Sequence, residues 1–318
     1  MAIVGSFSVF ISLILIYLII CKTPYASRQY RRGLILLQIC FLVFDVHWCF
    51  LFVPLISLPY FGIYSSGFLC TTIKMDIHYQ MVFMLFFTIE TFAWFFICML
   101  QRHQVNPLQN TQIISVQALS RTLSVCSTIF AASGPIGFST CRLTQKEIDW
   151  TLEVYLMRWL ESKPQYIVYS KLLRPEIQVY LGLFLISMLL FSVACISLTV
   201  HSMHVIRRSM MNSGKSKDLK SSAMRNLFIQ FAVFAAFLLL PGFLLIFNVW
   251  VKFDIEIFVS CQILFASHSL ASSLVALFVN STYRRHLKFW KKKSEIKILP
   301  SPSRKTTTVT MITVSSLS

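Results

Sequence analysis

Charge is scarce in this chain. Only 13% of its 318 residues are Asp, Glu, Lys or Arg, about half the share in soluble domains. Glycine is scarcer, 9 residues against 29 Phe, which excludes collagen-like and Gly-rich linker sequences. The 9 cysteines are spread over the whole length, too thinly for a small disulfide-stapled scaffold. Only His201 and His204 of the 7 histidines are closely paired, so the multi-histidine pattern of a membrane desaturase is missing. HExxH and GxSxG are missing too, which argues against an enzyme. What is present is apolar: 56% of residues are hydrophobic and the mean hydropathy is +0.69. A soluble globule of this size has no place to hide that much apolar surface, and the composition points to a polytopic helical membrane protein.

Stretches free of charge mark the spans. A bilayer core takes about 20 apolar residues as a helix, and seven segments qualify: 2–21, 34–57, 79–100, 119–140, 177–205, 227–249 and 257–280. Pro54, Pro59, Gly62 and Gly67 turn the second stretch out of the membrane near Leu58. The fourth is the most polar, with seven Ser or Thr between Thr122 and Thr140 plus Gly134, Pro135 and Gly137. Such residues are tolerated where they bond neighbouring helices or their own backbone. The first span has no basic residue before it and reads as a membrane anchor with its N-terminus outside, not as a cleaved leader.

The charge distribution sets the topology. With the N-terminus outside, the four inner segments hold 21 of the 29 Lys and Arg and only two acids, Asp218 and Glu295. The outer loops hold 8 basic and 8 acidic residues, and Asp45 and Glu90 fall inside spans. This is the positive-inside pattern, and it requires the fourth span: without it, the basic loop 206–225 would lie outside. The expected fold is an all-α membrane protein, a seven-transmembrane-helix bundle over 1–285 with N-terminus outside and C-terminus cytoplasmic. A tail of 286–318 follows, with a basic segment on the membrane surface and then a disordered end. The net charge of +17 is read as contact with anionic membrane lipid, not nucleic acid, since no nucleic-acid fold signature accompanies it.

More specific residues narrow the class. Lys22-Thr23-Pro24 follows the first span, then Arg31-Arg32-Gly33-Leu34. The second span carries Asp45 and leads into the Pro54, Pro59, Gly62, Gly67 loop; the third ends in Gln101-Arg102-His103-Gln104; the last holds His268-Ser269 and closes on Tyr283-Arg284-Arg285. Over roughly 20–290 this set resembles the nematode serpentine chemoreceptors of the Str superfamily, most closely the class I (Sri) group and next the class H (Srh) group. The resemblance implies a G-protein-coupled receptor in the plasma membrane of sensory-neuron cilia. It would detect a small-molecule ligand, activate a heterotrimeric G protein and need no cofactor and no metal. A polytopic transporter or channel, or a receptor copy that no longer signals, is the alternative; no internal repeat supports the transporter.

Within that frame, Asp45 and Glu90 are candidate intramembrane polar switches. An ionisable group at midplane faces the bundle or is protonated. Each is either a buried proton or cation site that biases two receptor states, or a neutral acid bonding Ser or Thr across helices. Phe83, Phe87 and Trp94 share helical spacing around Glu90, and all four, Glu90 included, are candidate ligand-binding residues. Arg102, His103, Arg207 and Arg208 sit at the cytoplasmic ends of the third and fifth spans, as candidates for G-protein coupling. Pro241 is expected to kink the sixth span. Cys70 and Cys141 are a candidate disulfide between outer segments.

Overall fold

The computed structural model describes residues 2–22, 28–57, 62–104, 116–163, 165–170, 173–212, 228–248, 250–251, 254–280, 283–284 and 286. Helix α1 is Ala2–Lys22 and α2 is Arg28–Val46, the latter continued by a π-helical turn, His47–Phe52. After a short turn, α3 (Phe68–Thr71), come α4 (Ile77–Gln104) and α5 (Val116–Ser139). Next are α6 (Gln145–Val154), α7 (Glu176–Asn212) and α8 (Phe228–Phe247). The chain closes with α9 (Ile255–Ala266) and α10 (His268–Val279).

Five of these, α1, α2 with its π turn, α4, α7 and α8, are long and apolar enough to cross a bilayer, and α9 with α10 makes a sixth span bent by 47°. The remaining helix of the seven-helix bundle is the polar α5. It packs against α4 along much of its length and turns Val125, Ile129 and Ile136 outward, each 60% or more exposed. Its small residues bring it close to its neighbours: a Cβ on Gly134 would touch Ile89 at 3.3 Å, and one on Gly137 would fall on the Tyr180 ring of α7.

Three features depart from a plain helical bundle. The second span ends at Phe52, not at residue 57. Val53 takes a left-handed conformation (φ 45°) and caps the π turn with its N–H on the Trp48 carbonyl. Pro54, which has no N–H to continue the helix, then opens strand β1, Pro54–Ser57. β1 pairs antiparallel with β2, Gly62–Ser65, and β2 with β3, Tyr166–Val168, in the order β1-β2-β3. Pro54 lies opposite Ser65 and Gly62 opposite Val168. The segment 141–176, expected as a loop, is a folded cap. Its helix α6 is held by a capping box between Thr144 and Glu147, and Leu152, Met157, Leu160 and Val168 form a small core of their own. Finally, the seventh span is broken at Ser267 rather than continuous.

The main core lies between α2, α4, α7, α8 and the seventh span. A second cluster, Leu15, Leu18, Ile19, Leu277 and Tyr283, joins α1 to α10 at the end of the bundle away from the sheet. That end is called the tail end below, and the other the sheet end.

Candidate functional site

A polar ladder runs through the packing of α1, α2 and α10. Ser8 and Ser12 lie one turn apart on α1, Ser269 and Ser273 one turn apart on α10, and Gln38 and Asp45 two turns apart on α2, so each helix presents two polar rungs. On the upper rung Ser8 Oγ donates to Asp45 Oδ2 at 2.5 Å, Ser269 Oγ donates to the same oxygen, and the two hydroxyls lie 2.7 Å apart. On the lower rung Gln38 Nε2 donates to Ser12 Oγ at 2.8 Å and to Ser273 Oγ at 2.7 Å. All six residues are buried. Asp45 thus accepts from serines of two other helices, which both readings open from sequence allow. Its partners were missed there, although pairs of Ser at i and i+4 in the first and last spans were the signal.

His268 stands at the break in the seventh span. Its Nδ1 lies 2.7 Å from the Phe265 carbonyl, and Phe41 and Phe44 meet its ring edge-on.

Glu90 of α4 is also buried, and its carboxylate takes hydrogen bonds from Trp94 and from Thr128 of α5. The structure therefore separates Asp45 and Glu90 into two polar sites with different partners.

An apolar cavity of about 100 Å³ lies near the sheet end among α4, α5, α7, α8 and α9. Trp48 and Ile56 close it on the sheet side, and Thr88 carries its only hydroxyl. That hydroxyl donates to the Met84 carbonyl at 2.9 Å, leaving its lone pairs as an acceptor. Gly242 gives α8 a flat wall: a Cβ there would stand 3.3 Å from Phe265 and 3.4 Å from Met188. Below the cavity, Phe92, Phe95, Phe191 and Phe234 form an aromatic floor, with Phe95 and Phe234 stacked at 3.9 Å and Phe92 edge-on to Phe234 at 5.6 Å.

The residues expected to line a ligand pocket do not line this one. The cavity face of α4 is Met81, Met84, Leu85, Thr88 and Phe92. Phe83 is instead 43% exposed and packs on His47 and Phe87, with ring centroids 5.1 and 4.7 Å apart, while Glu90 and Trp94 bond each other. Aromatic residues occupy every face of α4, so spacing alone did not choose the inward one.

Above the cavity, His78 ties three elements together. Its Nε2 lies 3.1 Å from the Ser139 carbonyl at the end of α5, its Nδ1 lies 2.9 Å from the Tyr169 hydroxyl beyond β3, and its ring stacks on Phe138 at 5.4 Å. The carbonyl requires N–H on Nε2, so in the neutral ring Nδ1 accepts from Tyr169. Burial pushes the Tyr169 phenol well above its ordinary value, which keeps it a donor.

Pro241 follows a π turn, Ala235–Leu239, in α8. The widened turn makes room for the proline ring, which would otherwise press on the carbonyl four residues back. Cys70 and Cys141 are buried free thiols here; Cys70 Sγ accepts from Gln80 Nε2 at 2.9 Å and is not bridged. Arg102 and His103 belong to the last turn of α4, and Arg207 and Arg208 to the last turns of α7, both at the tail end. Their side chains lie outside the described residues. Among those residues no group of His, Cys, Asp and Glu is placed to hold a metal ion.

The bundle, its polar interior and the capped cavity define a multi-pass membrane protein of seven-helix receptor architecture. The chain matches the family model of the serpentine type 7TM GPCR chemoreceptor Sri over residues 1–287 and belongs to that family. The resemblance carried by the span-end motifs is thereby borne out. No curated protein matches the chain.

Proposed function

We propose that this protein is a chemosensory receptor of the plasma membrane, with its sheet end outside, that detects a small apolar molecule and activates a heterotrimeric G protein. The capped cavity carries the reading. Its walls are hydrocarbon and aromatic, a single hydroxyl oxygen offers an acceptor, and its size is near that of engineered cavities that hold benzene, about 150 Å³. A ligand of a few carbon atoms, alone or with one hydrogen-bond donor, fits that chemistry.

The same geometry suggests how occupancy is sensed. Phe92 is part of the cavity wall and of the aromatic floor, and Phe234 stands at the N-terminal edge of the π turn in α8. A ligand that favours one packing of these rings shifts an existing equilibrium between two arrangements of α8. The readout lies at the tail end, where Arg102, His103, Arg207 and Arg208 stand beside the inner leaflet in the positive-inside topology.

The test is a cell calcium assay with a promiscuous G protein and a panel of small apolar odorants. Gly242→Leu fills the cavity and is expected to abolish the response at unchanged surface level; Arg102→Ala is expected to abolish it without changing ligand binding. A receptor that reaches the surface and answers no member of the panel, or a Gly242→Leu variant that responds like the parent, overturns the reading.

A further inference from the structure

A second apolar space lies against the cavity. It is a groove of about 290 Å³ between α4, α5 and α7, walled by side chains such as Ile89, Phe96 and Phe191. Three residues, Phe92, Phe184 and Met188, line both the groove and the inner cavity. The partition between the two is therefore one side chain thick. One of its members is a methionine, whose three rotatable bonds let it change shape at little cost.

Side chains block two other directions. Towards the sheet, Ile63 of β2, Val168 of β3 and their neighbours Phe52, Ile77 and Tyr169 are all at most 4% exposed. Towards the tail end stands the floor of Phe92, Phe95, Phe191 and Phe234 rings. The groove opens mid-helix, beside Ile129 of α5 and Leu183 and Leu190 of α7, all more than half exposed. A surface of that composition at that depth faces acyl chains, not water.

We infer that this groove is a binding vestibule for small apolar molecules dissolved in the bilayer, from which the cavity is filled sideways past Phe184 and Met188. The inference rests on the cavity being the ligand site. It narrows the ligand class to molecules that partition into membrane, because a charged or strongly hydrated compound is not present in the groove to enter.

The test follows a chemical probe, not signalling. Full-length receptor with Thr88→Cys and Cys126→Ala is placed in lipid nanodiscs and treated with benzyl methanethiosulfonate, and the adduct at position 88 is timed by peptide mass spectrometry. Groove-filling Ala93→Trp and Ser187→Trp are each expected to slow labelling by at least about tenfold. Val193→Trp, on the lipid face of α7 outside the groove, is expected to leave it unchanged, and a trimethylammonium reagent of the same chemistry is expected to label far more slowly in every background. Equal labelling with and without the groove-filling residues, or charged and benzyl reagents reacting alike, overturns the sideways route and leaves the cavity reading standing. No labelling at position 88 in any background overturns both.

Discussion

Asp45 carries two hydrogen bonds on one oxygen, Oδ2, while Oδ1 has no partner among the described residues. What Ser8 and Ser269 need from this position is an acceptor, and Asn supplies one. Asp45→Leu leaves two buried hydroxyls with only each other, at a cost of about 1–3 kcal/mol; Asp45→Asn is expected to cost less. Thermal unfolding of detergent-solubilised receptor separates the two, and equal losses would show that the carboxylate matters for more than its acceptor. His78 is expected to be less replaceable. His78→Phe keeps the stack on Phe138 but removes the bonds to the Ser139 carbonyl and the Tyr169 hydroxyl. Tyr169→Phe keeps the His78–Ser139 bond and should be the milder change in the same measurement. The ionisable residue was visible in the sequence because a carboxylate in a span is rare. Its partners were hidden because Ser is unremarkable in a membrane helix and only packing decides which serines converge.

Among the elements, α5 depends on smallness and α6 on charge. Gly137→Ala is expected to destabilise the receptor by a few kcal/mol at most, of the order known for overpacking, because the new methyl lands on Tyr180. Adding Tyr180→Ala should restore part of the loss, and a double-mutant cycle that shows no coupling would refute the contact. In α6, the backbone N–H of Thr144 donates to the Glu147 carboxylate at 2.7 Å and the Thr144 hydroxyl donates at 2.9 Å, with Arg174 beside them at 3.3 Å. These bonds hold the Glu147 carboxyl below the usual carboxylate range. Its contribution to the cap is therefore fully present above the unfolded pKa and is lost as pH falls through the lowered one. Hydrogen-exchange protection over 145–154 should drop in acid, and Glu147→Gln should remove that pH dependence. Element existence was largely legible, since twenty apolar residues in a row have few alternatives to a spanning helix. The breaks were not. The π turns at His47–Phe52 and Ala235–Leu239 and the bend at Ser267 answer to neighbouring helices. The sheet joins β2 at 62–65 to β3 at 166–168 through strands of three or four residues, too short for an alternating pattern to stand out.

For the whole molecule, the folded cap and the distribution of basic residues lead to one topology. The cap 141–176 pairs with β2 at the sheet end, so both connections must lie on the same side of the membrane. That side is the one with balanced charge, whereas the basic segment 206–225 follows α7 at the other end. α4 ends at the tail end and the cap begins at the sheet end, so α5, despite its Ser and Thr, crosses between the two. A glycosylation sequon inserted at the turn after α6, where Leu156 is 87% exposed, is therefore expected to be modified in microsomes, and one inserted within 213–218 is expected to stay unmodified. The reverse pattern would place the cap inside and put the G-protein reading out of reach. Modification at both sites would mean that α7 does not cross between them, which a 37-residue helix with only one charged residue before Arg207 makes the least compatible outcome. The pair of insertions thus tests α5 through the orientation of the chain that follows it, and the charge pattern predicts the first result because moving six basic residues across the membrane opposes the positive-inside bias.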